Sequence, residues 1–113
     1  DIVNSPLVPT NAQHAWYKLY LTLDSSLFKK SMSRELVIKN LNSLSVPCSF
    51  GGSGEIYKEK AFKNLNSLKS GALKNASFLE KNSLMLQVHP TITINELKRR
   101  AKILRSVLLR AQK

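Results

Sequence analysis

Ser83-Leu84-Met85-Leu86-Gln87-Val88-His89-Pro90-Thr91-Ile92-Thr93 is the stretch from which the fold can be read. A short apolar run with a polar residue before it and Pro90 after it has the character of a buried strand. Proline has no N–H to give to a ladder, so pairing is expected to stop there. Thr93 and Glu96 then make a Thr-x-x-Glu capping box, which satisfies two backbone donors that the first helical turn leaves without partners. Beyond it, Leu97, Ala101, Leu104, Leu108 and Ala111 recur at the three-to-four spacing of a helix laid on a sheet. A strand, a turn and a helix from Ile94 to about Gln112 are therefore expected in succession.

Working outward from this unit, Leu19, Leu21 and Leu23 alternate with Lys18, Tyr20 and Thr22, the period of a strand with one buried face. Asp24-Ser25-Ser26 ends that strand. Ser33 is a good N-cap for a helix whose stripe is Val37, Ile38, Leu41 and Leu44. The helix must stop before Pro47, because the residue preceding a proline is disfavoured in the helical region. Val46 to Phe50 reads as a short strand, and Gly51-Gly52-Ser53-Gly54 as the most flexible point of the chain. Glu55 to Phe62 resumes with helical character, and Asn64 to Gly71 is polar and loop-like. Leu73, Ala76, Phe78 and Leu79 mark another short helix. Residues 1–15, with Pro6 and Pro9 and no period, read as an extended entry segment or linker, and 16–113 as the domain proper. The order predicts an α+β fold: a small two-layer domain with a mainly antiparallel sheet of about three or four strands, covered by helices on one face.

The 113 residues allow one domain with its own core. Apolar residues make up 42% of the chain, and no run approaches the ~20 residues of a membrane span. No basic segment leads into an apolar one at the start, as a secretory signal would require. The single cysteine, Cys48, excludes an internal disulfide and a multi-cysteine metal site and agrees with a reducing, cytoplasmic setting. The chain opens on Asp1 rather than methionine, which is read as the mark of a piece of something longer. Eighteen Lys and Arg against seven Asp and Glu give a net charge of +11. Such an excess favours nucleic acid, phosphorylated ligands or anionic lipid as partners. The plainer reading is a biased composition with charges scattered over a solvated surface, since only Lys98-Arg99-Arg100 are adjacent in threes.

The glycine cluster could bring backbone amides close to an anion, but it matches neither a Walker motif nor a dinucleotide fingerprint. His14 and His89 lack companions at metal-ligand spacing, so no metal site is expected; a lone histidine at a strand end reads as hydrogen-bonded and structural. Cys48 beside a strand reads as a small core residue. Glu55 and Glu59, among Lys58 and Lys60, read as a solvated face. No nucleophile motif is present, and no residue of the chain is assigned a catalytic role.

Three stretches go further when taken together: His14-Ala15-Trp16-Tyr17-Lys18, Gly52 through Phe62, and Ser83 through Thr91. In order and spacing they resemble the C-terminal part of the DegT/DnrJ/StrS family of pyridoxal-phosphate-dependent sugar aminotransferases, from about Asn11 to the end. The resemblance implies a C-terminal small domain of aspartate-aminotransferase type that closes over an active site. It also implies a partner in the chain's own N-terminal large domain, which carries the Schiff-base lysine and the cofactor contacts. Such enzymes are homodimers acting on nucleotide-linked keto-sugars, commonly for polysaccharide biosynthesis, with glutamate or glutamine as amino donor.

Where many members of the family have a His-Tyr-Pro-type loop, this chain has Ser49 to Tyr57. By resemblance, Ser49, Gly52, Ser53, Glu55 and Tyr57 are the substrate-binding candidates. Ser53 and the glycine amides would donate to sugar or phosphate oxygens, and Glu55 or Tyr57 would meet sugar hydroxyls. No lysine lies in a context like that of the Schiff-base site, so the chain alone is expected to bind no cofactor and to be inactive. Neither membrane nor nucleic acid is expected as a partner. The rival reading is a stand-alone basic module for nucleic-acid or protein interaction, drawing on the charge and on the basic residues of the last helix.

Overall fold

Leu84, with no exposed surface, sits on the strand that the rest of the sheet flanks. In this computed structural model, which describes residues 1–52, 54–62 and 73–113, the strands are β1 (Val3–Asn4), β2 (Lys18–Leu23), β3 (Cys48–Phe50) and β4 (Ser83–Gln87). Their spatial order is β1-β2-β4-β3, and every pair is antiparallel. The helices are α1 (Arg34–Ser43), α2 (Lys74–Asn82) and α3 (Ile94–Ala111). The architecture is the expected α+β small domain. Among the described residues no helix is long and apolar enough to cross a membrane.

The two-residue period of a strand divides the sheet into two faces. Leu21 pairs with Leu84, which pairs with Phe50, and Leu19 pairs with Leu86, which pairs with Cys48. Leu21, Leu84 and Cys48 are buried on this face with Val37 and Leu41 of α1 and Val107, Leu108 and Ala111 of α3. Leu19 and Leu86 pack against them, and Phe50 at the edge stays half exposed. Each buried aliphatic side chain contributes roughly 1.5–3 kcal/mol relative to exposure. The Cys48 thiol lies in this layer, where burial pushes it up to about 11. It is therefore a protonated core group rather than a nucleophile.

Val3 and Asn4, in the stretch read as an extended entry segment, pair with Leu23 and Thr22 as a short edge strand, and Ile2 is buried beside them. Two residues are too few to show a period; the strand forms where the edge of β2 offers Leu23 and Thr22 as partners. At the other edge, β3 is held from α1. The Asn42 side-chain amide donates to the Cys48 carbonyl at 2.7 Å and accepts from the Cys48 N–H at 3.1 Å. Arg34 gathers the neighbouring elements. Its guanidinium lies 4.7 Å from the centre of the Phe50 ring and donates to the carbonyls of Glu80 and Ser83.

α1 begins on Ser33, whose hydroxyl accepts from the Leu36 N–H at 3.3 Å. It ends in a Schellman arrangement: the Val46 N–H returns to the Leu41 carbonyl and the Ser45 N–H to that of Asn42, with Ser45 at φ 57°. The buried pair Val46 and Leu41 supplies the apolar contact that accompanies this motif. Arg99 of α3 donates to the carbonyls of Leu44 and Ser45, closing the end of α1.

The capping box is formed in half. Thr93 Oγ1 accepts from the Glu96 N–H at 3.2 Å, but the Glu96 carboxylate turns along the helix to Arg99 and Arg100, each at 2.7 Å. Two cations one turn away offer charge-assisted bonds that a neutral amide cannot match. The anticipated stripe of α3 also slides toward its C-terminal end. Leu97 is 47% exposed, whereas Val107, outside the expected stripe, is buried.

Two outcomes follow. Ser45→Gly removes the roughly 1–2 kcal/mol cost of a left-handed side chain and adds about 0.4–1 kcal/mol of unfolded-state freedom, for a net gain of roughly 0.5–1 kcal/mol in denaturant unfolding. Arg99 and Arg100 hold the Glu96 carboxyl down to about 2 from 4.5. The stabilisation it gives is complete above pH 4.5 and drains away as pH falls toward 2. Solvent screening keeps it modest. Melting temperature followed against pH in Glu96→Gln and the parent should differ near neutrality and converge near pH 2.

Candidate functional site

The face of the sheet away from α1 and α3 carries the polar half of each strand's alternation. Asn4, Thr22 and Ser83 form one row across β1, β2 and β4, and Tyr20, Met85 and Ser49 form the next across β2, β4 and β3. Beside this face, α2 and the glycine loop enclose a cleft of about 440 Å³, bounded by Asn4, Tyr20, Thr22, Ser83, Leu79 and the loop at Gly52 and Gly54. Its polar groups are a carboxamide, hydroxyls and backbone amides over an apolar floor. This set can bind and orient a ligand by hydrogen bonding.

Two of the three glycines described here serve close approach, rather than the flexibility expected of the cluster. A Cβ on Gly54 would lie 2.3 Å from the Ala76 carbonyl oxygen of α2, and one on Gly51 would lie 1.9 Å from Ser83 Oγ. A Cβ on Gly52 would meet open space. The loop is thus pressed onto α2 and the start of β4. Its Gly51 N–H donates to the Ser83 carbonyl at 3.2 Å, continuing the ladder past β3.

The candidate residues separate. Ser49 is exposed on the cleft's face of the sheet, one row from its rim, and Gly52 lines the cleft. Ser53 lies outside the described residues. Glu55 and Tyr57 belong to a cluster of their own. The helical character expected over Glu55 to Phe62 resolves into two 3-10 turns, Ile56–Lys58 and Lys60–Phe62. Within the first, the Tyr57 hydroxyl donates to the Glu55 carboxylate at 2.5 Å and Lys58 Nζ lies 2.9 Å from it. The Glu55 N–H donates to Glu80 Oε2 at 2.8 Å. The Tyr57 hydroxyl and then Lys58 hold the Glu55 carboxyl below its ordinary range, while the carboxylate raises both Tyr57 and Lys58.

Glu55 is only 7% exposed, which corrects its reading as part of a solvated face. Donors two and three residues on, Tyr57 and Lys58, close on Glu55 in a tight turn; helical spacing foresees the Lys58 pair but not the Tyr57 one. Tyr20 and Thr22 were legible as one face of an alternating strand. Asn4 carried no signal, because its strand has none.

His89 is hydrogen-bonded within its turn, Nδ1 accepting from the Thr91 N–H at 3.3 Å and lying 2.8 Å from the Thr91 hydroxyl. Trp16 stands in the left-handed region at φ 49°, stacked on His14 with ring centres 4.3 Å apart. Among the described residues, no three of His, Cys, Asp and Glu come together as a metal-binding group would require.

No protein-family model and no curated protein sequence matches the chain. Solved structures do. The aminotransferase from Psychrobacter cryohalolentis is 39% identical over 88% of this chain, with a TM-score of 0.80. A DegT DnrJ EryC1 StrS aminotransferase from Brucella abortus superposes on 93% of it at 18% identity and a TM-score of 0.73. This is the fold of the DegT/DnrJ/EryC1/StrS-type aminotransferases. The E. coli GDP-4-keto-6-deoxy-D-mannose-3-dehydratase, solved with bound hydrated pyridoxal phosphate, shares the fold over 91% of the chain at 19% identity and a TM-score of 0.59. The chain spans about a quarter of the length of each of these proteins, 25%, 26% and 25% respectively. As in the sequence resemblance, the match to DegT/DnrJ/EryC1/StrS-type aminotransferases embraces strand, loop and helix together rather than one motif.

The loop's close contacts are checked by two alanines. Gly54→Ala should cost about 1–3 kcal/mol through overpacking against a backbone carbonyl, whereas Gly52→Ala should stay within about 0.5 kcal/mol. Urea unfolding midpoints distinguish them.

Proposed function

We propose that this chain acts as the small domain of a pyridoxal-phosphate-dependent aminotransferase for a nucleotide-linked keto-sugar. It closes over an active site whose catalytic groups stand on other polypeptide, and it lends its cleft to the sugar nucleotide. The observation that carries the reading is the 39% identity with an aminotransferase over 88% of the chain. The sugar-nucleotide part is supported by the dehydratase of the same fold, whose name specifies a GDP-linked keto-sugar. It is supported also by the cleft's neutral hydrogen-bonding rim, which suits a polyhydroxylated ligand. We further propose that the whole enzyme is a cytoplasmic homodimer.

When bound, pyridoxal phosphate supplies the electron sink for amino transfer. The described residues do not fit a site for it. Among the described residues no lysine borders the cleft, and Glu55 raises the pKa of Lys58. A Schiff-base lysine needs the opposite shift, toward a neutral amine. In this reading the chain's own residues position substrate and exclude water, and they transfer no proton. Of the candidates, Ser49, on the cleft's face of the sheet, and Gly52, on the cleft's rim, face the substrate in this reading. Glu55 with Tyr57 braces the loop against α2 and the residue before it.

Two measurements test this. Pyridoxal phosphate added to the chain should give no saturable one-to-one lysine adduct; such an adduct would overturn the reading. In an enzyme carrying this chain, Thr22→Val and Tyr20→Ala should raise KM for the sugar nucleotide about tenfold, the loss of one or two hydrogen bonds, with kcat little changed. Unaltered KM in both variants removes the cleft from the site.

A further inference from the structure

We infer that the outward face of α3 is a docking surface for an anionic phospholipid bilayer. This inference is independent of the aminotransferase reading, and it revises the sequence-based expectation that no membrane is a partner. From Leu97 to the end the sequence holds seven Lys and Arg and no Asp or Glu. The one acid of the helix, Glu96, is bound to Arg99 and Arg100, which leaves the cations further along without an acidic neighbour on their own helix.

The fold gathers those cations. Lys102, Arg105 and Arg110 line an open groove of about 520 Å³ that Lys29 completes from the other side. Lys29 is fixed there because its Nζ donates to the Arg110 carbonyl at 3.0 Å and its N–H to the Ala111 carbonyl at 2.8 Å. Among the described residues no carboxylate lies within ion-pair distance of Lys29, Lys102, Arg105 or Arg110.

A polyanion is the complement of this surface, and two features select a bilayer over a nucleic acid. Leu109 lines the basic groove with 53% of its surface exposed. Arg105 and Leu109 also border an adjoining apolar groove with Ala101 and Leu104. Basic and apolar surface side by side suits the boundary between headgroups and acyl chains, whereas a phosphate backbone would leave the leucine in water. Moreover, residues 94–113 contain no Phe, Tyr or Trp on which a base could stack.

The experiment is co-sedimentation of the chain with vesicles of phosphatidylserine and phosphatidylcholine, one part to two, against pure phosphatidylcholine and against a single-stranded oligonucleotide. Binding to the anionic vesicles alone among the lipids is expected, and it should vanish near 1 M salt, where the screening length is about 3 Å. Lys102→Gln with Arg105→Gln should weaken it about 25-fold, about fivefold for each cation near such a surface. Leu109→Ser should weaken it about fivefold by removing inserted apolar area. Lys74→Gln with Lys81→Gln, an equal change of charge on α2, should leave it within twofold, and circular dichroism verifies the fold of each variant. The inference is overturned if no anionic vesicle is bound, or if the α2 pair weakens binding as much as the α3 pair. Tighter binding to the oligonucleotide, indifferent to Leu109→Ser, overturns it in favour of nucleic acid.

Discussion

Everything in this molecule leans on the pairing of β4 with β2 on one side and β3 on the other. The two ladders bring Leu84 between Leu21 and Phe50 and leave it without exposed surface. An antiparallel strand with neighbours on both edges satisfies its backbone groups while its alternate side chains commit to opposite faces. Once Leu84 and Leu86 point to the helices, Ser83 and Met85 must point the other way. The cleft is a geometric consequence of core formation, because the same register that buries the leucines aligns Asn4, Thr22 and Ser83 across three strands.

The charges divide into two populations. Some are structural: Glu96 binds Arg99 and Arg100, Arg99 caps α1, Arg34 ties Phe50 to the junction of α2 and β4, and Lys113 and Lys29 bond to carbonyls across the C-terminus of α3. Such bonds close helix ends whose carbonyls would otherwise need water. Of the others, Lys102, Arg105 and Arg110 share one groove with Lys29, while the rest of the positive charge is distributed along the chain.

The glycine loop shows how a short sequence can read as flexible and serve as a close joint. Gly51 and Gly54 are where backbone meets Ser83 and Ala76 with no room for a Cβ, and Gly52 alone has open space. Lacking a side chain permits both motion and contact, and only the neighbours decide between them. The internal bonding of Glu55, Tyr57 and Lys58 follows from the same packing, since the turn that carries them is braced on Glu80 of α2.

Local pattern was sufficient for the α+β class, the strands at Lys18–Leu23, Cys48–Phe50 and Ser83–Gln87, and the three helices. It sufficed because periodicity, caps and prolines act through adjacent residues. The resemblance of three separated motifs placed the chain beside the DegT/DnrJ/StrS family, in agreement with the solved structures. What depends on residues distant in sequence could not be read in advance. Val3–Asn4 becomes a strand because β2 offers an edge, and Glu96 abandons its half of the capping box for two guanidinium groups. Glu55 is buried by a helix 25 residues away in sequence, where Glu80 accepts its N–H. Hydrogen bonds, ion pairs and close backbone contacts of this kind have energies set by three-dimensional proximity, which the order of residues constrains but does not display.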